Sequence, residues 1–141
     1  MKFIFIKSNE DVVKVYAKER NALIDAIENM CNIDDNILGY YQDSIVEVNI
    51  NNVECFYTEK DRVCAISDNK TYYVKKRLYE VYELAKDSFV YINQGCLANI
   101  NKIAKFDVSI GGTLLVVFKS GYKDYVARRR LKEIKERMGL K

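Results

Sequence analysis

Residues 53–74 read VECFYTEKDRVCAISDNKTYYV, and this stretch decides the fold class. Val53 to Thr58, Val63 to Ile66 and Thr71 to Val74 are rich in β-branched and aromatic side chains, the composition of strands that pack a pleated surface. Between them, Glu59 to Arg62 and Ser67 to Lys70 gather charged residues, Asp, Asn and Ser, which suit tight turns because their short side chains bond the nearby backbone. Three short strands and two tight turns predict an antiparallel meander.

Upstream, Ile45 to Ile50 alternates with period two: Val46, Val48 and Ile50 share one face while Ile45, Glu47 and Asn49 share the other, as in a half-buried strand. Downstream, Leu78, Val81, Tyr82 and Leu84 fall at helical spacing within Arg77 to Leu84, and the apolar run Phe89 to Ile92 follows. Ile103 to Ile110, Leu114 to Phe118 and Tyr122 to Val126 predict three more strands, divided by turns at Gly111-Gly112 and Ser120-Gly121, before a helix from about Arg129 to Met138. At the other end of the chain, Phe3 to Ile6 and Val12 to Tyr16 read as a strand pair. Ala22, Leu23, Ala26, Ile27 and Met30 then give residues 19–31 the spacing of an amphipathic helix. The expectation is a mostly β fold with small helices, divided into an N-terminal strand-strand-helix extension over 1–44 and a domain over 45–141.

At 141 residues, with 49% hydrophobic and 30% charged side chains, the chain has the size and composition of one globular domain with a small accessory unit. It contains no histidine, so the commonest general base and metal ligand is missing. Its four cysteines, Cys31, Cys55, Cys64 and Cys96, have no close pair of the kind zinc or redox chemistry uses. They read as free thiols of a reducing compartment. A glycine-rich phosphate loop and a nucleophile elbow are also absent, so the expectation is a non-enzyme without cofactor, metal or small-molecule substrate. Met1 to Ile6 is too short an apolar run for a secretory signal, and no segment approaches the ~18 apolar residues of a membrane span, so a cytoplasmic location is expected.

The net charge of +3 conceals a gradient. Residues 1–54 carry net −5, residues 55–100 net +1 and residues 101–141 net +7. A basic region of this density is the electrostatic footprint of a polyanion binder, because lysine and arginine release counterions condensed on phosphates. A solvated helix surface would look the same by composition, so motifs must decide.

Three stretches carry a resemblance. The first is Val53 to Tyr57 with Glu59, followed by Tyr72 to Val81. The second is Phe89 to Ile103, FVYINQGCLANINKI. The third is Phe118 to Gly121 followed by Val126 to Ile134. In order and spacing they resemble the LytTR-type DNA-binding domain of bacterial response regulators. The second stretch is similar to that family's central signature of phenylalanine, apolar, arginine, apolar, histidine, basic, serine, aromatic, aliphatic, valine, asparagine. It departs at Tyr91, Asn93, Gln94 and Gly95, and Ala127 replaces the serine of the closing motif. The resemblance implies an elongated arrangement of short antiparallel strands that enters the major groove of double-stranded DNA through loops.

On that resemblance, Arg128 and Arg129 match the family's arginines, and guanidinium groups suit both guanine edges and phosphate oxygens. Asn93 and Gln94 have the donor and acceptor pair that addresses adenine. The competing reading of 93–95 is a plain polar turn in which Gly95 supplies a positive φ. Lys60, Arg62, Lys75, Lys76, Arg77 and Lys102 are candidate phosphate contacts, whereas Asn99 reads as structural. The layout resembles short stand-alone regulators encoded beside a small membrane protein, without a phosphoacceptor receiver. The N-terminal extension is then a candidate for dimerisation, since oligomeric binders match repeated half-sites. The rival expectation is a LytTR-like protein-interaction module that has lost specific DNA readout, motivated by the less basic set at Tyr91, Asn93, Gln94 and Gly95.

Overall fold

The computed structural model describes residues 14–31 and 36–139. The chain divides into two compact units between Asp34 and Asp35. In the first unit, α1 (Ala22–Cys31) begins where Asn21 Oδ1 accepts the Ile24 N–H at 3.0 Å. This N-cap explains a start at residue 22 instead of 19. Arg20 bridges Asp25 and Glu28 one and two turns into the helix. Of the expected N-terminal strand pair, Phe3 to Ile6, Val12 and Val13 lie outside the described residues, and Lys14 to Tyr16 form no regular element.

Among its described residues, the second unit contains ten strands and two α-helices: β1 (Asn36–Tyr41), β2 (Ser44–Asn49), β3 (Val53–Glu59), β4 (Arg62–Ser67), β5 (Lys70–Val74), α2 (Leu78–Leu84), β6 (Phe89–Asn93), β7 (Cys96–Asn99), β8 (Ile103–Val108), β9 (Leu114–Phe118), β10 (Lys123–Tyr125) and α3 (Leu131–Arg137). Strand β1 was not expected; it pairs with β2 through six residues and with β5 at Tyr40–Tyr73. Gly39 obscured β1 in the sequence, because glycine weakens a strand pattern.

Seven antiparallel strands form one sheet in the order β2-β1-β5-β4-β3-β7-β6, and β10-β9-β8 form a second. The meander β3-β4-β5 is as the sequence predicts. Its two-residue turns, Lys60-Asp61 and Asp68-Asn69, all have positive φ between 49° and 63°, the left-handed geometry that matches strand twist in tight hairpins. On one face of the large sheet, Val53, Phe56, Ala65 and Leu97 pack against Leu78, Val81 and Ala85 of α2 and its C-terminal end. On the other face, Cys55, Val90, Ile92 and Ala98 meet Val116 and Phe118 of the small sheet, Val126, and Ile134 of α3. Two cores back to back thus sandwich this end of the sheet, which is why β3, β7 and the edge strand β6 are largely buried on both faces.

Two short 3-10 turns share one sequence pattern. Asn49-Ile50-Asn51 and Asn99-Ile100-Asn101 each start with an asparagine whose Oδ1 accepts the N–H two residues on. Asn99 is also buried and donates to the carbonyls of Asn51 and Val53 at 3.2 and 2.9 Å, which ties the two turns together. Its role is structural, as expected.

Candidate nucleic-acid interface

The strand directions gather the expected residues at one end of the large sheet. Strand β3 runs toward the Lys60-Asp61 turn. Strand β4 starts beside it at Arg62, and β5 leaves at the same end into Lys75, Lys76 and Arg77. Strand β7 starts there too, because Cys96 pairs with Tyr57, so the β6–β7 turn at Gln94-Gly95 emerges alongside. The third basic segment joins through backbone: Ala127 N–H donates to Ile92 O at 2.8 Å, which sets the 3-10 turn Arg128–Arg130 next to the end of β6. A single helix from Arg129 was expected. The turn Arg128–Arg130 instead precedes α3, which starts at Leu131.

Asn93 and Gln94 have different fates. Asn93 is buried; its Nδ2 donates to Asp124 Oδ1 at 3.1 Å and to Tyr125 O at 2.8 Å, and its Oδ1 accepts the Gly95 N–H at 2.9 Å. Its amide is engaged inside the chain and is not presented to a base edge. Gln94, at the tip of the turn, is exposed. Gly95 is not among the positive-φ residues. Glycine is needed there for space, because a Cβ would stand 2.9 Å from Thr58 Oγ1 while Thr58 N–H donates to Gly95 O at 3.0 Å.

Arg128 and Arg129 are both exposed. Arg130 differs: its guanidinium carbon lies 5.2 Å from the centre of the Tyr91 ring, and it reaches Glu133 at 3.7 Å. Tyr91 in turn meets Tyr82 of α2 at 5.0 Å. The arginine of the family signature is replaced here by tyrosine, and an arginine from the closing motif stacks on it. At the far end of α3, Arg137 donates to the carbonyls of Lys86, Asp87 and Phe89 at 2.9 to 3.0 Å, fixing the helix that follows the arginine run.

Arg62, Lys75, Lys76 and Arg77 line a concavity of about 850 Å³ with Tyr40 and Tyr73. Two of these cations are held over rings, Arg62 at 5.0 Å from Tyr73 and Lys75 at 4.9 Å from Tyr40. Such stacking lowers the side-chain freedom a cation would lose on binding phosphate. Lys102 does not join them. Its carbonyl accepts the Lys119 N–H at 3.3 Å beside the β9–β10 turn, at the opposite end of the sheet. There a bulge in β3, between Val53 and Cys55, aims the buried Glu54 carboxylate at Ser120, which donates N–H at 2.8 Å and Oγ at 2.5 Å.

Sequence reading missed one element at the cationic end. The β8–β9 tip, Ser109 to Thr113, follows the start of β9 toward the arginine segment, because Val126 N–H donates to Leu114 O at 2.8 Å just before Ala127. The signal was present in Gly111-Gly112, which marked a hairpin without indicating which end of the sheet it would reach. Among the described residues no group of His, Cys, Asp or Glu could hold a metal ion, and Cys55, Cys64 and Cys96 are free and buried. No described helix is long and apolar enough to cross a membrane.

Residues 43–139 match the family model described as LytTr DNA-binding domain. An uncharacterized HTH-type transcriptional regulator of Staphylococcus aureus strain MSSA476 is 29% identical over 98% of this chain and 96% of its own. A similarly described protein of strain NCTC 8325 is 29% identical over 97% of each. Among the described residues of this chain, strands stand between successive α-helices in chain order. A solved LytTr DNA-binding domain from a Bacillus cereus response regulator superposes with a TM-score of 0.67 at 20% identity, covering 75% of this chain and 98% of that one, and so shares the mostly β fold.

Proposed function

The chain belongs to the LytTr DNA-binding domain family, and from that premise we propose that it is a bacterial transcriptional regulator that reads double-stranded DNA in the major groove. One observation carries this reading: exposed Gln94, Arg128 and Arg129 emerge at the same end of the sheet as Lys60, Arg62, Lys75, Lys76 and Arg77. Cation density alone would bind phosphate without choosing a sequence. The two free arginines and the exposed amide add groups that discriminate base edges, arginine for guanine and glutamine for adenine. Asn93 acts behind them, positioning the turn. Gln94 stands on the short turn between β6 and β7, and Arg128 and Arg129 on the 3-10 turn between β10 and α3, whose far end Arg137 ties to the carbonyls of Lys86, Asp87 and Phe89.

The N-terminal unit is assigned to pairing two copies on repeated half-sites, and the protein to the cytoplasm, where its DNA lies. Fluorescence anisotropy of the full chain tests the reading. A duplex from the region upstream of its own coding sequence is compared with a scrambled duplex of equal length across a salt series. Preference for the upstream fragment, weakened steeply by salt, is expected. Arg128→Ala and Arg129→Ala should each cost about 1 to 3 kcal/mol of binding. Equal, weak binding to both duplexes, unchanged by these substitutions, would favour the protein-interaction module instead.

A further inference from the structure

Ile110 is fully exposed, at 110% relative accessibility, and Val108 two residues earlier is 74% exposed. Isolated exposed apolar side chains are ordinary. These two differ in where they stand and how they are held. Ser109 N–H donates to Thr113 O and Gly112 N–H to Ser109 O, both at 2.9 Å, while Ser109 Oγ accepts the Thr113 N–H at 3.1 Å. The tip is therefore a closed hairpin that lifts Ile110 clear of both cores, where it adds nothing to folding. It opens directly from Leu114, whose carbonyl accepts Val126 N–H immediately before the Arg128–Arg130 turn.

We infer that Ile110 is a specificity-determining residue that reads the 5-methyl group of thymine. The inference rests on the DNA reading above and deepens it. In the major groove the base edges offer donors, acceptors and one apolar group, the thymine methyl. On the base edges of the major groove, that methyl is the group an isoleucine side chain can cover without leaving a polar atom unpaired. Lys60, Arg62, Lys75 and Lys76 attract the duplex regardless of sequence, and the hairpin tip adds a preference for thymine to the base contacts of Arg128 and Arg129.

The test uses the full chain and its upstream duplex, made once with thymine and once with uracil throughout, which removes the methyl groups and leaves every Watson–Crick edge in place. The wild-type protein should bind the uracil duplex about fourfold more weakly for each methyl it covers, the ratio given by roughly 0.8 kcal/mol per buried carbon group. Ile110→Ser, a change at a fully exposed position that leaves thermal unfolding unaltered, should bind both duplexes equally. Its affinity should match that of wild type on uracil, with the wild-type salt slope. Equal binding of the wild type to both duplexes overturns the inference, as does an Ile110→Ser protein that keeps the wild-type ratio. Those failures are distinct from failure of the DNA reading, in which the wild type would not prefer the thymine duplex over a scrambled one.

Discussion

Asn93 Nδ2 donates to the carbonyl oxygen of Tyr125 at 2.8 Å, joining the β6–β7 turn to β10 across 32 positions of sequence. With the bond to Asp124 and the one accepted from Gly95, both the Nδ2 and the Oδ1 of this buried amide have partners within the chain. Asn93→Ala leaves the Gly95 N–H and the Tyr125 carbonyl without their partner, and should cost about 2 kcal/mol of stability. Gln94→Ala, one residue away but exposed, should change stability by less than about 0.5 kcal/mol and lower DNA affinity instead. Urea midpoints and anisotropy on the same pair of variants check this. Equal stability of the two variants would refute the division of roles.

Gly95 provides a second test of the same turn. An added methyl would meet Thr58 Oγ1 at 2.9 Å, so Gly95→Ala should destabilise the protein by about 1 to 2 kcal/mol through local overpacking. The contact is with a single hydroxyl at the end of β3. Combining Gly95→Ala with Thr58→Ala should recover most of the loss in a double-mutant cycle. Absence of coupling would mean that glycine is required there for backbone reasons.

The turn also shows what could be read from sequence. Local patterns placed the meander, α2 and β9, because alternation and turn residues report on nearest neighbours along the chain, whereas Arg128 and Arg129 were singled out by the resemblance of the closing motif. Asn93 was different: its type fits base contact and turn formation equally, and only the approach of Asp124 and Tyr125, 31 and 32 residues away, decides between them. Lys102 was grouped with the other cations because charge is visible in sequence and the end of the sheet is not. Strand β1 was hidden by Gly39, which lies buried in the strand where a Cβ would stand 2.8 Å from Val48 Cγ2. The β8–β9 tip was legible as a hairpin, yet the end of the sheet it reaches depends on a backbone bond between Val126 and Leu114.

Alkaline pH should weaken the fold through Tyr57 and Tyr122, which stack at 5.0 Å on the rim of the core beneath the small sheet. Burial, followed by the charges of Cys64 and Glu59, pushes the Tyr57 phenol up to about 12. Burial and the neighbouring Asp124 push Tyr122 in the same direction. A phenol that keeps its proton longer when folded makes the native state bind more protons than the unfolded chain above pH ~10. Stability contributed by Tyr57 is therefore intact below about pH 10 and falls as pH rises toward the folded value of about 12. Urea midpoints at pH 8 and pH 11 should differ clearly for wild type and by less for Tyr57→Phe. An identical drop in both proteins would assign the effect to other groups.

The cations at the two ends of the sheet should separate cleanly in salt dependence. Arg62 and Lys76 line the concavity at the end proposed to face DNA, whereas Lys102 sits at the opposite end beside Lys119. Each phosphate contact contributes about 0.9 to the slope of log affinity against log salt on duplex DNA. Arg62→Gln and Lys76→Gln should each flatten the slope by about that amount and weaken cognate and scrambled duplexes alike, since phosphate contacts carry no sequence information. Lys102→Gln removes the same formal charge, so it controls for net charge and should leave the slope unchanged. Arg62→Gln also loses the stack on Tyr73, and its unfolding free energy should fall by roughly 0.5 to 1 kcal/mol. A Lys102 variant that flattens the slope as much as Arg62 and Lys76 do would mean that the duplex is gripped by diffuse positive charge over the whole unit.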